Sequence, residues 1–217
     1  MSSDLLPVAI QILALLFAVS FHESAHGWVA WKCGDPTAKD LGRITLNPLR
    51  HIDPVGSVLL PALLAFSGAP VFGWAKPVPV AILRTRNPRT ANLLVSAAGP
   101  ISNLLLAALF AIAVFVLKPS DAPGAPPIGP VSYILFYLAF YSVLINVVLA
   151  LFNLLPIPPL DGFGVVESLV PRSFAPAVYW MRRFGMILLV VVIFSGALQW
   201  MLGPALHAVS GWLLGAR

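Results

Sequence analysis

The chain has 217 residues, of which 59% are hydrophobic and only 10% are charged. A soluble domain carries about 25% charged residues, so this composition excludes a water-soluble globular protein and indicates a polytopic membrane protein. The formal net charge of +5 does not indicate a nucleic-acid partner, because the basic residues flank apolar segments, as membrane topology requires.

Several apolar segments approach or exceed the ~20 residues that cross a hydrocarbon core of ~30 Å. They cover residues 5–31, 91–117, 131–155 and about 185–203. We therefore predict an all-α polytopic membrane protein with about four transmembrane helices. The whole chain, 1–217, is expected to form a single membrane-embedded domain, with a core over about 5–165 and a C-terminal helix over about 185–203.

Two further segments lie between the first two predicted helices. Residues 56–72 are apolar but short, and Pro61, Gly68 and Pro70 interrupt them. This pattern predicts a re-entrant segment, which protein or water must cover at membrane depth. Residues 73–80 contain too much proline for a helix and predict a short extended, β-like loop.

The distribution of Lys and Arg predicts the topology. Loops 32–54, 73–90 and 163–184 hold eleven of the thirteen basic residues. The positive-inside rule therefore places all three loops in the cytoplasm. This arrangement requires segment 56–72 to enter and leave the membrane on the same side.

The first predicted helix ends in a metal-binding motif. His22-Glu23-Ser24-Ala25-His26 matches H-E-x-x-H. Residues four apart share a face of a helix, so both imidazoles can bind one metal, and Glu23 can take a proton from the attacking water. The alternative is a pair of buried histidines whose rings only form hydrogen bonds with neighbouring helices. Ionisable groups are costly inside a membrane, however, which favours the functional interpretation.

Zinc in a hydrolase usually has three protein ligands, so a third is needed. Asp161 follows helix 131–155 directly, and Pro156, Pro158 and Pro159 restrict the intervening backbone. With the predicted topology, Asp161 and His26 both lie toward the cytoplasmic side.

The other acidic and histidine residues are weaker candidates for the third ligand. Those in polar or loop sequence are expected to be solvated: Asp35, Asp40, His51, Asp53 and Glu167.

Three asparagines lie in the predicted membrane helices. Asn153, near the metal end of its helix, is predicted to donate a hydrogen bond to the oxyanion of a tetrahedral intermediate. Asn146 and Asn103 are predicted to make structural hydrogen bonds between helices, a common role for Asn in membranes. Gly99 is predicted to allow close packing.

These motifs together resemble the site-2 protease family of intramembrane metalloproteases, in its compact bacterial branch without a PDZ or CBS domain. The resemblance covers His22–His26, Gly99-Pro100-x-x-Asn103, Asn153-x-x-Pro156-x-Pro158-x-x-Asp161-Gly162, and loops 47–56 and 73–80. It implies one Zn²⁺ bound by His22, His26 and Asp161, with Glu23 as general base and Asn153 as a candidate oxyanion donor. It also implies transmembrane or membrane-proximal protein substrates and location in a bacterial cytoplasmic membrane. The basic loops place the active site toward the cytoplasm.

Two other functions remain open at this point. A non-hydrolytic metal transporter or sensor would use the same three ligands, but it leaves Glu23 without a role. A structural membrane scaffold would bind no stoichiometric metal.

Overall fold

The computed structural model describes residues 5–68, 73–118 and 129–214. These ranges contain α-helices, short 3₁₀ and π helices and loops, and no β-strand is present in them. The α-helices are α1 (Leu5–Lys32), α2 (Thr37–Asp40), α3 (Leu60–Ser67), α4 (Pro88–Leu117), α5 (Pro130–Asn153), α6 (Asp161–Leu169), α7 (Ala175–Phe194) and α8 (Ala197–Leu214). Residues 69–72, at the end of the predicted re-entrant segment, lie outside the described ranges.

The protein is an all-α polytopic membrane protein. Four helical stretches in the described residues are long and apolar enough to span a bilayer: Leu5–Lys32, Pro88–Leu117, Pro130–Asn153 and Arg172–Phe194. The first three agree with the predicted helices to within three residues. The prediction of one C-terminal helix over about 185–203 is wrong. The chain instead forms α7 and α8, which Gly196 separates with a left-handed φ of +77°, a conformation that ends a helix at little cost for glycine.

Helices α1, α4 and α5 pack against one another and form the core. Helices α1 and α4 are antiparallel, because His26 contacts Val95 while Ala18 contacts Asn103. Small side chains let membrane helices approach closely. Three alanines on α4 and α5 follow this rule in the larger buried cluster of the described residues, to which α8 adds Leu213. The cluster comprises Ala107, Ala111, Val114, Phe136, Ala139, Val143 and Leu213.

Segment 54–67 forms a π-helix, Pro54–Leu59, that continues into α3. The Asp53 carboxylate caps this helix and accepts hydrogen bonds from the backbone N–H groups of Val55 (3.0 Å) and Gly56 (2.7 Å). At 1.5 Å per residue the two helices together extend about 21 Å, which is less than the ~30 Å hydrocarbon core.

Helix α6 places Asp161 against the core. Asn92 on α4 donates to the Gly164 carbonyl (3.1 Å) and to the Ser168 hydroxyl (2.8 Å), which fixes α6 along α4. A side chain at Gly162 would collide with the Leu154 carbonyl. Glycine is therefore required at position 162 because two backbone segments approach closely there.

Candidate metal centre

The three ligands predicted from the sequence converge at one point. Asp161 Oδ2 lies 3.2 Å from His22 Nε2 and 3.3 Å from His26 Nε2. The two Nε2 atoms are 3.0 Å apart. Helix α1 supplies both imidazoles, and the first residue of α6 supplies the carboxylate.

The hydrogen bonds of each imidazole define its tautomer. His22 Nδ1 lies 2.6 Å from Asn103 Oδ1, and His26 Nδ1 lies 2.7 Å from the Val95 carbonyl oxygen. Both oxygens only accept hydrogen bonds, so each Nδ1 carries the proton. With Nδ1 engaged in this way, Nε2 of each ring is the atom left to bind a metal, and it faces Asp161.

This arrangement fits a metal cation. Two nitrogen lone pairs and one carboxylate oxygen face one another, and Asp161 Oδ2 is buried without a hydrogen-bond partner in the described part of the chain. An N₂O donor set of this kind suits zinc.

Gly99 on α4 makes room for both rings. A Cβ atom at this position would lie 2.5 Å from His22 Cε1 and 2.5 Å from His26 Nε2. Real Cβ atoms do not approach heavy atoms so closely. The prediction that Gly99 serves close packing is confirmed, and the surface against which it packs is the pair of imidazoles.

Asn103 has a role that the sequence interpretation missed. Its Oδ1 accepts from His22, while its Nδ2 donates to Asn146 Oδ1 (2.7 Å), and Asn146 donates in turn to the Ser142 carbonyl (2.8 Å). The prediction that both asparagines make hydrogen bonds between helices is confirmed, and the structure shows that they bond to each other. The same amide also orients a predicted metal ligand, as outer-shell partners of metal-bound histidines do. The one signal in the sequence is that Asn103 lies four residues after Gly99, on the same helical face.

Two residues predicted to be solvated are buried. Asp35 is 0% exposed and His51 is 2% exposed. Asp35 accepts hydrogen bonds from the Ala81 N–H and from Thr37, and His51 Nε2 donates to the Thr45 carbonyl (2.8 Å). The prediction failed because the hydrogen-bond partners of both residues are mainly backbone groups. Such groups occur at nearly every position, so the sequence does not show which of them will be near.

The candidate base and the candidate oxyanion donor have different partners. Glu23 Oε2 accepts a hydrogen bond from the Val78 N–H at 2.8 Å. Asn153 Nδ2 donates to the Leu149 carbonyl of its own helix at 2.9 Å. One hydrogen of the Asn153 amide is therefore occupied within α5, and Asn153 makes no hydrogen bond to the three candidate ligands in the described residues.

A cluster of buried His22 with half-buried His26 and Asp161, next to Glu23 and among helices long enough to span a membrane, defines the class as a membrane-embedded zinc metalloprotease.

Comparisons with known proteins agree with this class. The chain matches peptidase family M50 over residues 10–133 and 127–192. It is 40% identical over 197 residues to "Putative zinc metalloprotease YwhC" of Bacillus subtilis (strain 168), across 91% of this chain and 85% of the relative. It is 34% identical over 195 residues to "Putative zinc metalloprotease Rip2" of Mycolicibacterium smegmatis, across 87% of this chain and 68% of the relative. No solved structure matches the chain.

The chain belongs to peptidase family M50, the site-2 protease family. It is a zinc-dependent metalloprotease, and the alternative of a non-hydrolytic transporter or sensor is not favoured.

Proposed function

We propose that this metalloprotease cleaves transmembrane or membrane-proximal segments of other membrane proteins, with His22, His26 and Asp161 as the zinc ligands and Glu23 as the general base. The observation that carries the assignment is the convergence of three potential donor atoms from two helices that are distant in the sequence. The adjacent Glu23 distinguishes a hydrolytic site from a site that only stores or carries a metal.

The chemistry follows from the roles of these side chains. Bound zinc would acidify a water molecule toward a pKa of about 7 and polarise the scissile carbonyl. Glu23 accepts the proton of the attacking water and returns it to the leaving nitrogen. Asn103 and the Val95 carbonyl hold the two imidazoles in the tautomer that this site needs. We also propose that the Asn153 amide donates to the developing oxyanion.

The topology that we propose places the site toward the cytoplasmic side of a bacterial inner membrane. His26 lies near the end of α1, and Asp161 lies just after α5. Because these residues meet, the chain between them must cross the membrane an even number of times, and α4 and α5 provide two crossings. Segment 54–67 then re-enters, which its short length supports. Residues 73–81 follow it as a loop without helix or strand.

A matched pair of variants tests the assignment of Glu23. Glu23→Gln keeps the size of the side chain but cannot accept a proton at neutral pH. We expect the purified variant to keep one zinc per chain and to cleave fluorescently labelled casein, an unfolded probe, at least 100-fold more slowly. Glu167→Gln makes the same change in a carboxylate that pairs with Arg182 (2.6 Å), and it should keep activity within twofold.

The outcomes of this experiment separate the competing functions. Full activity in Glu23→Gln would remove Glu23 from the mechanism. Stoichiometric zinc without cleavage by the native protein would instead favour a carrier or sensor. Peptides that accumulate only in membranes containing Glu23→Gln would identify the substrates.

A further inference from the structure

The backbone of residues 73–81, which we call the strap, contacts the candidate general base directly. The Val78 N–H donates to Glu23 Oε2 at 2.8 Å. The Val78 side chain is 7% exposed, and its Cγ1 lies 3.0 Å from the position of a Cβ on Gly27 of α1. The strap therefore packs tightly on the helix that carries Glu23.

A buried acid holds one end of the strap. Asp35 is 0% exposed, and its carboxylate accepts from the Ala81 N–H and from the Thr37 N–H (3.0 Å) and hydroxyl (2.5 Å). Burial raises the pKa of Asp35, but these hydrogen bonds lower it below its usual value. The group is thus ionised, and its charge is balanced mainly by hydrogen-bond donors.

A buried base holds the middle of the strap. Arg43 is 9% exposed, and its Nη2 donates to the carbonyls of Lys76 (2.9 Å) and Pro77 (3.3 Å). Burying a charge is costly unless it is paired or hydrogen-bonded. Asp35 and Arg43 form no salt bridge with each other within the described ranges, and each contacts the strap backbone instead. Two buried charged side chains therefore hold one segment that is neither helix nor strand.

We propose that the Val78 N–H is a positioning group for the Glu23 carboxylate, and that Asp35 and Arg43 act through the strap to keep this donor in place. The proposal rests on the proposed role of Glu23 as general base. A glutamate side chain has several freely rotating bonds, and the Val78 hydrogen bond restricts them. A hydrogen bond to a charged group is among the stronger ones in proteins, and a displacement of about 1 Å at a reacting group can cost ~100-fold in rate.

Substitution of Val78 by proline tests the proposal. Val78→Pro removes the N–H, and the neighbouring Pro77 and Pro79 show that this stretch tolerates proline. We expect kcat for casein to fall about 10- to 100-fold, with KM changed less than threefold and zinc content retained. Val80→Pro is the matched control, because the Val80 N–H has no partner in the described residues, and it should keep kcat within twofold. Val78→Ala keeps the donor and should lose much less than Val78→Pro.

Asp35→Asn provides a second test that does not change the donor itself. The amide keeps the shape of Asp35 but cannot accept from both Ala81 and Thr37. We expect a loss of kcat with zinc retained, as in Val78→Pro. Amide exchange adds a measurement that needs no substrate: exchange of the Val78 amide should accelerate at least tenfold in Asp35→Asn and in Glu23→Ala.

The result that overturns the proposal is distinct from failure of the proposed function. Unchanged kcat in Val78→Pro, or equal losses in Val78→Pro and Val78→Ala, would overturn positioning by the N–H. Loss of zinc in both Val78→Pro and Asp35→Asn would also overturn it, because the strap would then support the fold instead of the base. Full activity in Glu23→Gln would overturn the role of the base, whatever the strap variants show.

Discussion

Replacing Gly99 by alanine adds one methyl group between the two imidazoles of the metal centre. The new Cβ would lie 2.5 Å from atoms of both His22 and His26, whereas carbon atoms pack at about 3.5–4.0 Å. Each ring must therefore retreat by about 1 Å, or α4 must move away from α1. Overpacking of this kind costs about 1–3 kcal/mol. If this cost falls on the metal-binding geometry, zinc affinity weakens about 5- to 150-fold, since 1.4 kcal/mol is tenfold.

Competition with a chromophoric chelator measures this change. We expect Gly99→Ala to bind zinc at least fivefold more weakly than the native protein and to cleave casein correspondingly slowly. Gly203→Ala is the matched control, because a Cβ at Gly203 meets no atom within 4 Å. Native zinc affinity together with native activity in Gly99→Ala would refute the steric reasoning, because both imidazoles would then tolerate the methyl group.

Two further predictions concern groups that support the ligands. Asn103→Ala removes the acceptor for His22 Nδ1 and should weaken zinc binding about 10- to 100-fold. The same chelator competition measures this change. Unchanged affinity would show that the tautomer of His22 does not depend on this amide. Gly164→Ala brings a methyl group against the Ser96 hydroxyl and should destabilise the protein by about 1–3 kcal/mol. Adding Ser96→Ala should restore most of the thermal stability lost in Gly164→Ala. If stability were not restored, the collision with the Ser96 hydroxyl would not be the cause of the loss.

The sequence predicted those parts of the site whose signal is local. His22, Glu23 and His26 follow one another at helical spacing, so their shared face follows from helix geometry. Asp161 required a longer inference, in which the positions of the basic loops determined which helix ends lie on the same side. The structure brings Asp161 to the two imidazoles, as that inference requires.

The remaining contacts could not be predicted, because backbone atoms supply most of them. The Val78 N–H and Glu23 are 55 positions apart, and the N–H group is present at nearly every position of the chain. Asp35 looked like a solvated loop residue because the donors around it come mainly from the main chain. The contact between Asn103 and His22 spans 81 positions. Only the packing of α4 against α1 reveals it.

Helix α4 supplies none of the three candidate ligands, yet it contacts every element that carries one. Asn103 accepts a hydrogen bond from His22, the Val95 carbonyl accepts one from His26, and Asn92 donates hydrogen bonds to α6. A transmembrane helix tilts when the bilayer becomes thinner or thicker. Because all three ligands are held by contacts with α4, a tilt of α4 should move the three ligands together. We therefore expect the distances between the ligands to change little when the thickness of the surrounding bilayer changes.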